Sequence, residues 1–487
     1  MDEAQKIEQE SINVSNDNKP KPQKLSLYEM EKELLKTNSF IVINNLVYHY
    51  DEKAHHYKLV DQDDVISLYR RCVDLELHGA SSLSKYKDLY KIIQTDPDLR
   101  RNTVRYKHTY CALRNAIYFI DDQGELEPIK HTHEAITFTC IKASYSKEKD
   151  CPVFRKFIDD IIGEDCEDHE KHENREKVKN RLLMALGYLL VDTQKGKFFF
   201  LAGFQPDSGK SVLFNFIQRL FPPEAVSNLP IGDLGGRFES ESLLTSRINI
   251  SLDLPQEPLS ASAVAKIKQL TGGDTVEVQR KNKTSKKIDH PVKLVFAANH
   301  PICLKKDDKA FWNRLIFLPF MNTVKEEEKD PELGNKLWAE RHAIVTLLLH
   351  YAQELERMNY EFPPISEDKL KGYVQKSNED YILDFIQERC EIGTNEDFCS
   401  VAAIWKEFKN YQQKNPGPYC THTEFNKFME CHGFYRVHKS DVRGFLGIKV
   451  KERPINILED VDWKALSKTD EAKKLAKLAE KFLNEDE

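Results

Sequence analysis

The chain has 487 residues, 40% of them hydrophobic and 31% charged, with a formal net charge of −7. That length allows two to four domains with ordinary cores, and the acidic balance excludes polyanion binding by the surface as a whole, so any nucleic-acid contact must be local. No apolar run approaches the roughly 20 residues of a membrane span and MDEAQKIEQE is no signal peptide, so a soluble, cytoplasmic protein without a membrane partner is expected.

Residues 1–24 are polar, rich in Lys, Glu, Asn and Gln, and read as a disordered tail. From 25 to 150 the apolar runs FIVINNLVYHY, CALRNAIYFID and AITFTCIKASY alternate with polar turns such as DQGE, which predicts an α/β accessory region with strands. Residues 151–190 hold FRKFIDDIIG and NRLLMALGYLLV at helical spacing, a connector suited to oligomerisation, split by the charged segment EDCEDHEKHENREK. A nucleotide-binding core is expected over 191–365, a smaller domain over 366–460 and a Lys/Glu-rich helical tail over 461–487.

The core begins with GFQPDSGKS, Gly203 to Ser211, which ends in the Gly-Lys-Ser of a phosphate-binding loop. The usual spacing would put the first glycine at position 204, where Phe204 stands, so the loop carries one additional residue. KFFFLAG before it is long enough for a buried strand, and SVLFNFIQRL after it has helical spacing. In such a strand–loop–helix unit the backbone N–H groups and the helix N-terminus hold phosphates, the lysine neutralises charge and the hydroxyl ligates Mg²⁺. The expected ligand is ATP or GTP with Mg²⁺, held by Gly203, Pro206, Asp207, Ser208, Gly209, Lys210, Ser211 and Val212.

A nucleotide motor also needs a carboxylate on the metal side, a polar residue that senses the γ-phosphate and a cation for transition-state charge. RINISLDLPQE is an apolar strand ending in Asp253, suited to hold a metal-bound water alongside Ser211. VKLVFAANHP is a second strand ending in Asn299, whose amide would orient the attacking water, and AFWNRLIFLPF embeds Arg314 in an apolar run. Taken singly, Asp253 and Asn299 are also ordinary turn residues and Arg314 an ordinary snorkelling cation. Their shared order is the signal.

Between these strands, KIKQL reads as a helix, TGGD as a turn, and VEVQRKNKTSKKI as a hairpin whose tip region carries Arg280, Lys281, Lys283, Lys286 and Lys287. A charge run is usually a solvated face; within a nucleotide motor the same cations would meet a phosphate backbone. Farther on, SVAAIWKEFKNYQQKN and THTEFNKFMECHG read as helices and YRVHKSDVRGFLGIKVK as strands. Residues 401–454 hold ten Lys and Arg against five Asp and Glu, a local balance of +5 that suits DNA or a basic protein-docking module.

The order GKS, INISLD, LTGGD with a basic hairpin, FAANHP and FWNRLIFLPF resembles the superfamily 3 helicases of phage, plasmid and poxvirus primase-helicase proteins, most closely over residues 195–320. The resemblance implies an α/β fold with an AAA+ P-loop ATPase core, assembled as a ring, usually a hexamer, that translocates on single-stranded DNA with ATP between subunits. It assigns Lys210 and Ser211 to Walker A, Asp253 to Walker B, Asn299 to sensor 1, Arg314 to the arginine finger and Lys281 to Lys287 to the DNA-contacting hairpin. The C-terminal region resembles the winged-helix domain attached to many of these helicases.

Departures from the family pattern fall on chemistry. The phosphate loop is long by one residue, Leu254 stands where a second Walker B acid is usual, leaving Glu257 as the nearest later carboxylate for a base, and Asn313 precedes Arg314 where two arginines are common. Cys166, His169 and His172 lack the clean paired spacing of a zinc site. No acidic pair with a nearby histidine marks a primase, so a primase or polymerase would be a separate partner. The expected activity is an ATP-hydrolysing replicative DNA helicase of a phage or mobile element in a bacterial host cell; the alternatives are an initiator that uses ATP to assemble on origin duplex DNA with little unwinding, and a ring ATPase acting on RNA or protein.

Overall fold

The structure, a computed structural model, describes every residue except 1–23, 74–77, 79–81, 102–107, 122, 148–149, 164–168, 194, 237–238, 253, 255–257, 281–282, 289, 291, 300–301, 303, 305–307, 321, 365–377, 395, 416–419, 440–441 and 452–487. The expected tails at 1–24 and 461–487 thus fall outside the described residues, wholly or nearly so, as do Cys166 and the side chains of His169 and His172. The chain is mixed α/β and divides into two compact units, Met1–Gln375 and Lys376–Glu487. No described helix is long and apolar enough to cross a membrane.

In the first unit, α1 (Leu27–Thr37) opens on a capping box in which Ser26 Oγ accepts from the Glu29 N–H and the Glu29 carboxylate from the Ser26 N–H. Strands β1 (Phe40–Ile43), β2 (Leu46–Asp51) and β3 (His56–Val60) follow as an antiparallel sheet. Asn44 and Asn45, both at positive φ, form the β1–β2 turn, the handedness that matches strand twist. FIVI in β1 is buried at all four positions because both faces of the sheet are covered. Phe40 and Val42 cluster with Met30 and Leu34 of α1, Val65 of α2 (Gln62–Cys72) and Leu89 of α3 (Leu83–Thr95), whereas Ile41 and Ile43 cluster with Tyr48, Tyr57 and Phe138.

A second antiparallel meander consists of β4 (Thr109–Leu113), β5 (Ala116–Ile120) and β6 (Leu126–Ile129). The third apolar run, AITFTCIKASY, does not add a strand; its ladder contact is a bridge between Ile141 and Leu113. Its apolar residues serve two separate clusters, Phe138 in the one behind β1–β3 and Ile141 with Ala143 in the main core. A strand has one face for each cluster only if its neighbours continue, and here they do not.

After α4 (Pro152–Ile162) and α5 (His169–Leu190) comes the central element, β7 (Phe199–Phe204), followed by α6 (Lys210–Leu220), β8 (Val226–Ser227), β9 (Ile248–Ser251) and α7 (Ala261–Gly272). A hairpin of β10 (Val276–Arg280) and β11 (Lys283–Ile288) then leads to β12 (Lys293–Ala297), α8 (Lys309–Trp312), β13 (Leu315–Phe320), α9 (Leu333–Ala339) and α10 (Arg341–Arg357). Strands β13, β7, β12, β9 and β8, in that spatial order, form a sheet in which every pairing is parallel. INIS and KLVFA are buried at every position, the pattern of strands covered on both faces. Gly187 of α5 lets α10 approach closely, since a Cβ there would lie 2.3 Å from the Leu348 carbonyl oxygen. One hydrophobic cluster, running from Cys111 to Tyr360, takes in the accessory region, the connector and the core sheet.

Polar groups are buried at the amino edge of this sheet. Lys293, the first residue of β12, is fully desolvated, with Nζ 3.6 Å from the Tyr188 ring centroid and donating to the Thr193 carbonyl at 3.4 Å. Burial pulls its pKa down to about 7, against the attraction of Asp192, whose own carboxyl burial pushes up. Arg247, just before β9, stacks on Phe138 with its Cζ 4.6 Å from the ring centroid.

The second unit comprises α11 (Asn378–Arg389), β14 (Cys390–Ile392), β15 (Phe398–Ser400), α12 (Val401–Lys414), α13 (His422–Cys431), β16 (Arg436–Lys439), β17 (Val442–Leu446) and β18 (Ile448–Val450). Both expected helices and the expected strands form. Ser400 caps α12, Thr421 with Glu424 caps α13, and the rings of Phe408 and Phe425 meet tilted, centroids 4.7 Å apart, in a core shared with Phe385. Strands β15, β17 and β16 make one small sheet and β14 with β18 another.

The Lys293 environment gives a signed pH dependence. Its folded pKa of about 7 lies below the unfolded value of about 10.4, so between these limits the unfolded chain binds more protons and stability rises with pH. Denaturant midpoints measured at pH 7, 8 and 9 should therefore climb in the wild type and climb less in Lys293→Met. Equal slopes in the two proteins would show that this ammonium is not desolvated.

Candidate functional site

The GFQPDSGKS segment leaves the sheet from its middle. Gly203 and Phe204 are still in β7, opposite Pro319 and Phe320 of β13, so the loop proper is Gln205 to Gly209. The additional residue counted in the sequence is taken up by the strand. Gly203 is accordingly a strand residue whose would-be Cβ meets the Ala298 carbonyl oxygen at 3.4 Å, and not the first residue of the loop.

The loop is held from inside and outside. Ser208, almost fully buried, donates Oγ–H to the Gln205 carbonyl at 2.8 Å and accepts from Lys210 Nζ at 3.1 Å; Lys210 also donates to the Gln205 carbonyl. Outside, the segment after β13 straps it: Thr323 Oγ1 donates to the Pro206 carbonyl at 3.3 Å, Val324 N–H to the Asp207 carbonyl at 2.9 Å, and Lys329 Nζ lies 3.3 Å from Asp207 Oδ1. Asp207 sits at φ 50° and Gly209 at φ 82°, the two left-handed residues that turn the chain into α6. A Cβ on Gly209 would come 2.8 Å from Phe157 of α4, so the connector packs directly beneath this turn.

Gly209 is the N-cap of α6, which puts Lys210, Ser211 and Val212 in the first turn, where backbone N–H groups have no intrahelical acceptor. Partial burial lowers the Lys210 pKa while Asp207 opposes the shift. The Ser211 side chain is exposed at the same end. Free N–H groups, a helix dipole and a partly desolvated ammonium together favour an anion with several oxygens. The residues present fit the triphosphate of ATP, with Lys210 as its counter-charge and the Ser211 hydroxyl available to a Mg²⁺ ion.

Because the sheet is parallel, strand ends fall on the same edge as this loop. Ala298, just past β12, donates to the Ala202 carbonyl at 3.0 Å, which places the exposed Asn299 beside the start of the loop. Strand β9 ends at Ser251 on that edge, opposite Phe296; Asp253 and Glu257 lie outside the described residues.

Arg314 is elsewhere. It precedes β13, and its carbonyl accepts from the Phe199 N–H at the amino end of β7. The six residues of β13 separate it from the loop of its own chain, a span of about 20 Å. Its Nη1 donates back to the Ala310 carbonyl, and its Nε is buried without a hydrogen-bond partner. Arg314 is thus not brought together with Lys210, Ser211 and Asn299 of its own chain.

The basic hairpin forms as an isolated antiparallel pair, Val276 opposite Ile288 and Arg280 opposite Lys283, with an irregularity between Val278 and Arg280. It joins the amino end of β12, so it rises from the edge opposite the Gln205–Gly209 loop. Lys287 is exposed opposite Glu277, and Lys286 lies opposite Val278. Lys281 and the side chains of Arg280 and Lys283 lie outside the described residues. A cavity of about 150 Å³ lined by Tyr48, Tyr57, Phe138 and Arg247 also belongs to that amino edge, away from the loop.

Sequence reasoning missed Thr323, Val324 and Lys329. TVKEEEK reads as a charged turn, and nothing local in it signals a strap more than 110 residues after the loop it holds.

A family model described as a family of unknown function, DUF5906, matches residues 201–314, from inside β7 to the residue before β13. Similar solved structures include the A form apo structure of the NrS-1 C-terminal region, 12% identical with a TM-score of 0.45, covering 88% of this chain and 100% of that one. A second apo structure of the NrS-1 C-terminal region is 11% identical with a TM-score of 0.44 and the same coverages.

The left-handed turn at Gly209 is directly testable. Gly209→Ala should destabilise the protein by about 1–3 kcal/mol through positive-φ strain and the clash with Phe157, read as a lower denaturant midpoint at unchanged slope. Adding Phe157→Leu should recover the steric part only. A neutral Gly209→Ala would contradict the described loop.

Proposed function

We propose that this protein is an ATP-dependent DNA helicase of a phage or other mobile element, working on single-stranded DNA as a ring, of six subunits by its resemblance to superfamily 3. The observation that supports this reading best is the segregation of two sets of candidate residues to opposite edges of one parallel sheet. The phosphate-type loop, the α6 N-terminus and Asn299 share the carboxyl edge; Arg314 and the basic hairpin share the amino edge.

ATP with Mg²⁺, when bound, supplies a phosphoryl group whose transfer to water releases the free energy for movement. In this reading the N–H groups of Gly209 to Val212 orient the phosphates, Lys210 neutralises charge on them and Ser211 and Asp253 serve the metal. The Asn299 amide positions water, and Glu257, the next carboxylate in the sequence after Asp253, takes its proton. Arg314, too far from its own loop, stabilises transition-state charge in the adjacent subunit. The hairpin cations Arg280, Lys281, Lys283, Lys286 and Lys287 then track the phosphate backbone of one strand. The second unit serves as a winged-helix DNA-binding domain in this scheme, and a primase or polymerase acts as a separate chain.

Mixing separates this scheme from an assembly factor that merely binds nucleotide. ATP hydrolysis should be stimulated by single-stranded DNA and should fall to background in Lys210→Ala; in Arg314→Ala it should fall on the order of 10³-fold. Mixed rings of the two inactive variants should regain part of the activity, because some interfaces then pair an intact Lys210 with an intact Arg314. Two inactive variants that never complement would place both residues in one chain's site, and wild-type protein that binds ATP without turning it over would refute the helicase reading.

A further inference from the structure

Outside the core, a second group of cations gathers at the base of the accessory region. Lys286 Nζ, in β11 of the hairpin, donates to the Asn45 carbonyl at 3.0 Å. Gln94 Nε2, at the end of α3, donates to the same oxygen at 2.8 Å, and its Oε1 accepts from Lys91 Nζ at 3.2 Å. Arg100 Nη2 donates to Asn45 Oδ1 at 3.5 Å. Three cations from three separate elements thus converge on two neutral amide side chains and a turn carbonyl.

Their positions are fixed by backbone. Asn45 is in the tight β1–β2 turn, and the Leu99–Arg101 segment runs parallel beside β1, with Val42 N–H donating to the Leu99 carbonyl at 2.8 Å and Arg101 N–H to the Val42 carbonyl at 2.9 Å. Lys91, Asn45 and Arg100 are all exposed. Among the described residues the side-chain partners of Lys91 and Arg100 are these amides and not carboxylates. Lys91 and Arg100, held by neutral groups, repel each other, and an anion placed between them removes that cost.

A strand of nucleic acid is the anion that suits the arrangement. It offers one phosphate per nucleotide, so cations spaced along a surface can be met in series, and Asn and Gln side chains such as the exposed Asn45 and half-buried Gln94 add hydrogen bonds to phosphate and sugar. We propose that Lys91, Gln94, Asn45 and Arg100 extend the track of the β10–β11 hairpin onto the accessory region, as a further phosphate-binding surface for single-stranded DNA. The inference rests on the DNA reading of the hairpin and assigns a role to a region for which the sequence suggested none.

The test is a salt titration of binding to a labelled oligo-dT strand, followed by fluorescence anisotropy, on the full chain. Wild type, Lys91→Ala/Arg100→Ala, Lys286→Ala/Lys287→Ala and the charge-keeping Lys91→Arg/Arg100→Lys are compared. Loss of two phosphate contacts should shallow the slope of log affinity against log salt by about 1.4 and weaken binding about 20-fold at 0.1 M salt. The charge-keeping variant should bind like wild type. A Lys91→Ala/Arg100→Ala protein with the wild-type slope, alongside a weakened hairpin variant, would overturn the extended track and leave the helicase reading standing. Wild-type protein without affinity for the strand would overturn both, and a charge-keeping variant as weak as the alanine one would assign the loss to local structure instead.

Discussion

The pairing of β7 on both sides in parallel is the constraint on which the first unit depends. A parallel neighbour cannot be reached by a tight turn, so each strand of the sheet is followed by a crossover, and all carboxyl ends collect on one edge. Strand β7 is flanked by β12 and β13, which come roughly 90 and 110 residues later in the chain. The phosphate-type loop cannot take its place until those distant strands are in register. Its geometry is therefore a property of the whole sheet, down to the Val324 and Thr323 contacts that the chain makes on leaving β13.

The same constraint sets the distance between the two edges. Strands of four to six residues keep the loop and Arg314 a strand length apart, and β12 ties the hairpin at its amino end to Asn299 beyond its carboxyl end. Between the loop and the hairpin lie strands that are buried on both faces and close-packed, which transmit displacement more readily than they absorb it. Under the proposed function this rigid link is what would couple nucleotide state to DNA position. The Lys286–Asn45 hydrogen bond carries the link one step farther, into the β1–β2 turn of the accessory region.

How much of this could be read beforehand depended on whether the signal was local. The alternating Val276 and Val278, the TGGD turn and the return through Ile288 are contiguous, and the existence of the hairpin was legible, although its second strand begins as early as Lys283. Strand β7 and helix α6 were equally plain, but the end of β7 was not: counting residues back from Lys210 cannot show that Gly203 pairs with Pro319. AITFTCIKASY had the composition of a strand, yet its apolar residues are divided between two clusters and tertiary packing decided against the ladder. The strap from Lys329 to Asp207, the Phe157 floor under Gly209 and the group around Asn45 all join residues far apart in sequence, with no composition cue at either end.

The proposed function requires that Gln205 to Ser211 receive the phosphates of a nucleotide. Amide hydrogen exchange over Gly203 to Phe214, followed with and without Mg²⁺ and a slowly hydrolysed ATP analogue, measures this at the groups concerned. Slowed exchange confined to the N–H groups of Ser208 to Val212, at the α6 N-terminus, is the result this account requires. Unchanged exchange there, at a nucleotide concentration that demonstrably binds the protein, would place the ligand elsewhere and remove the basis of the proposed function.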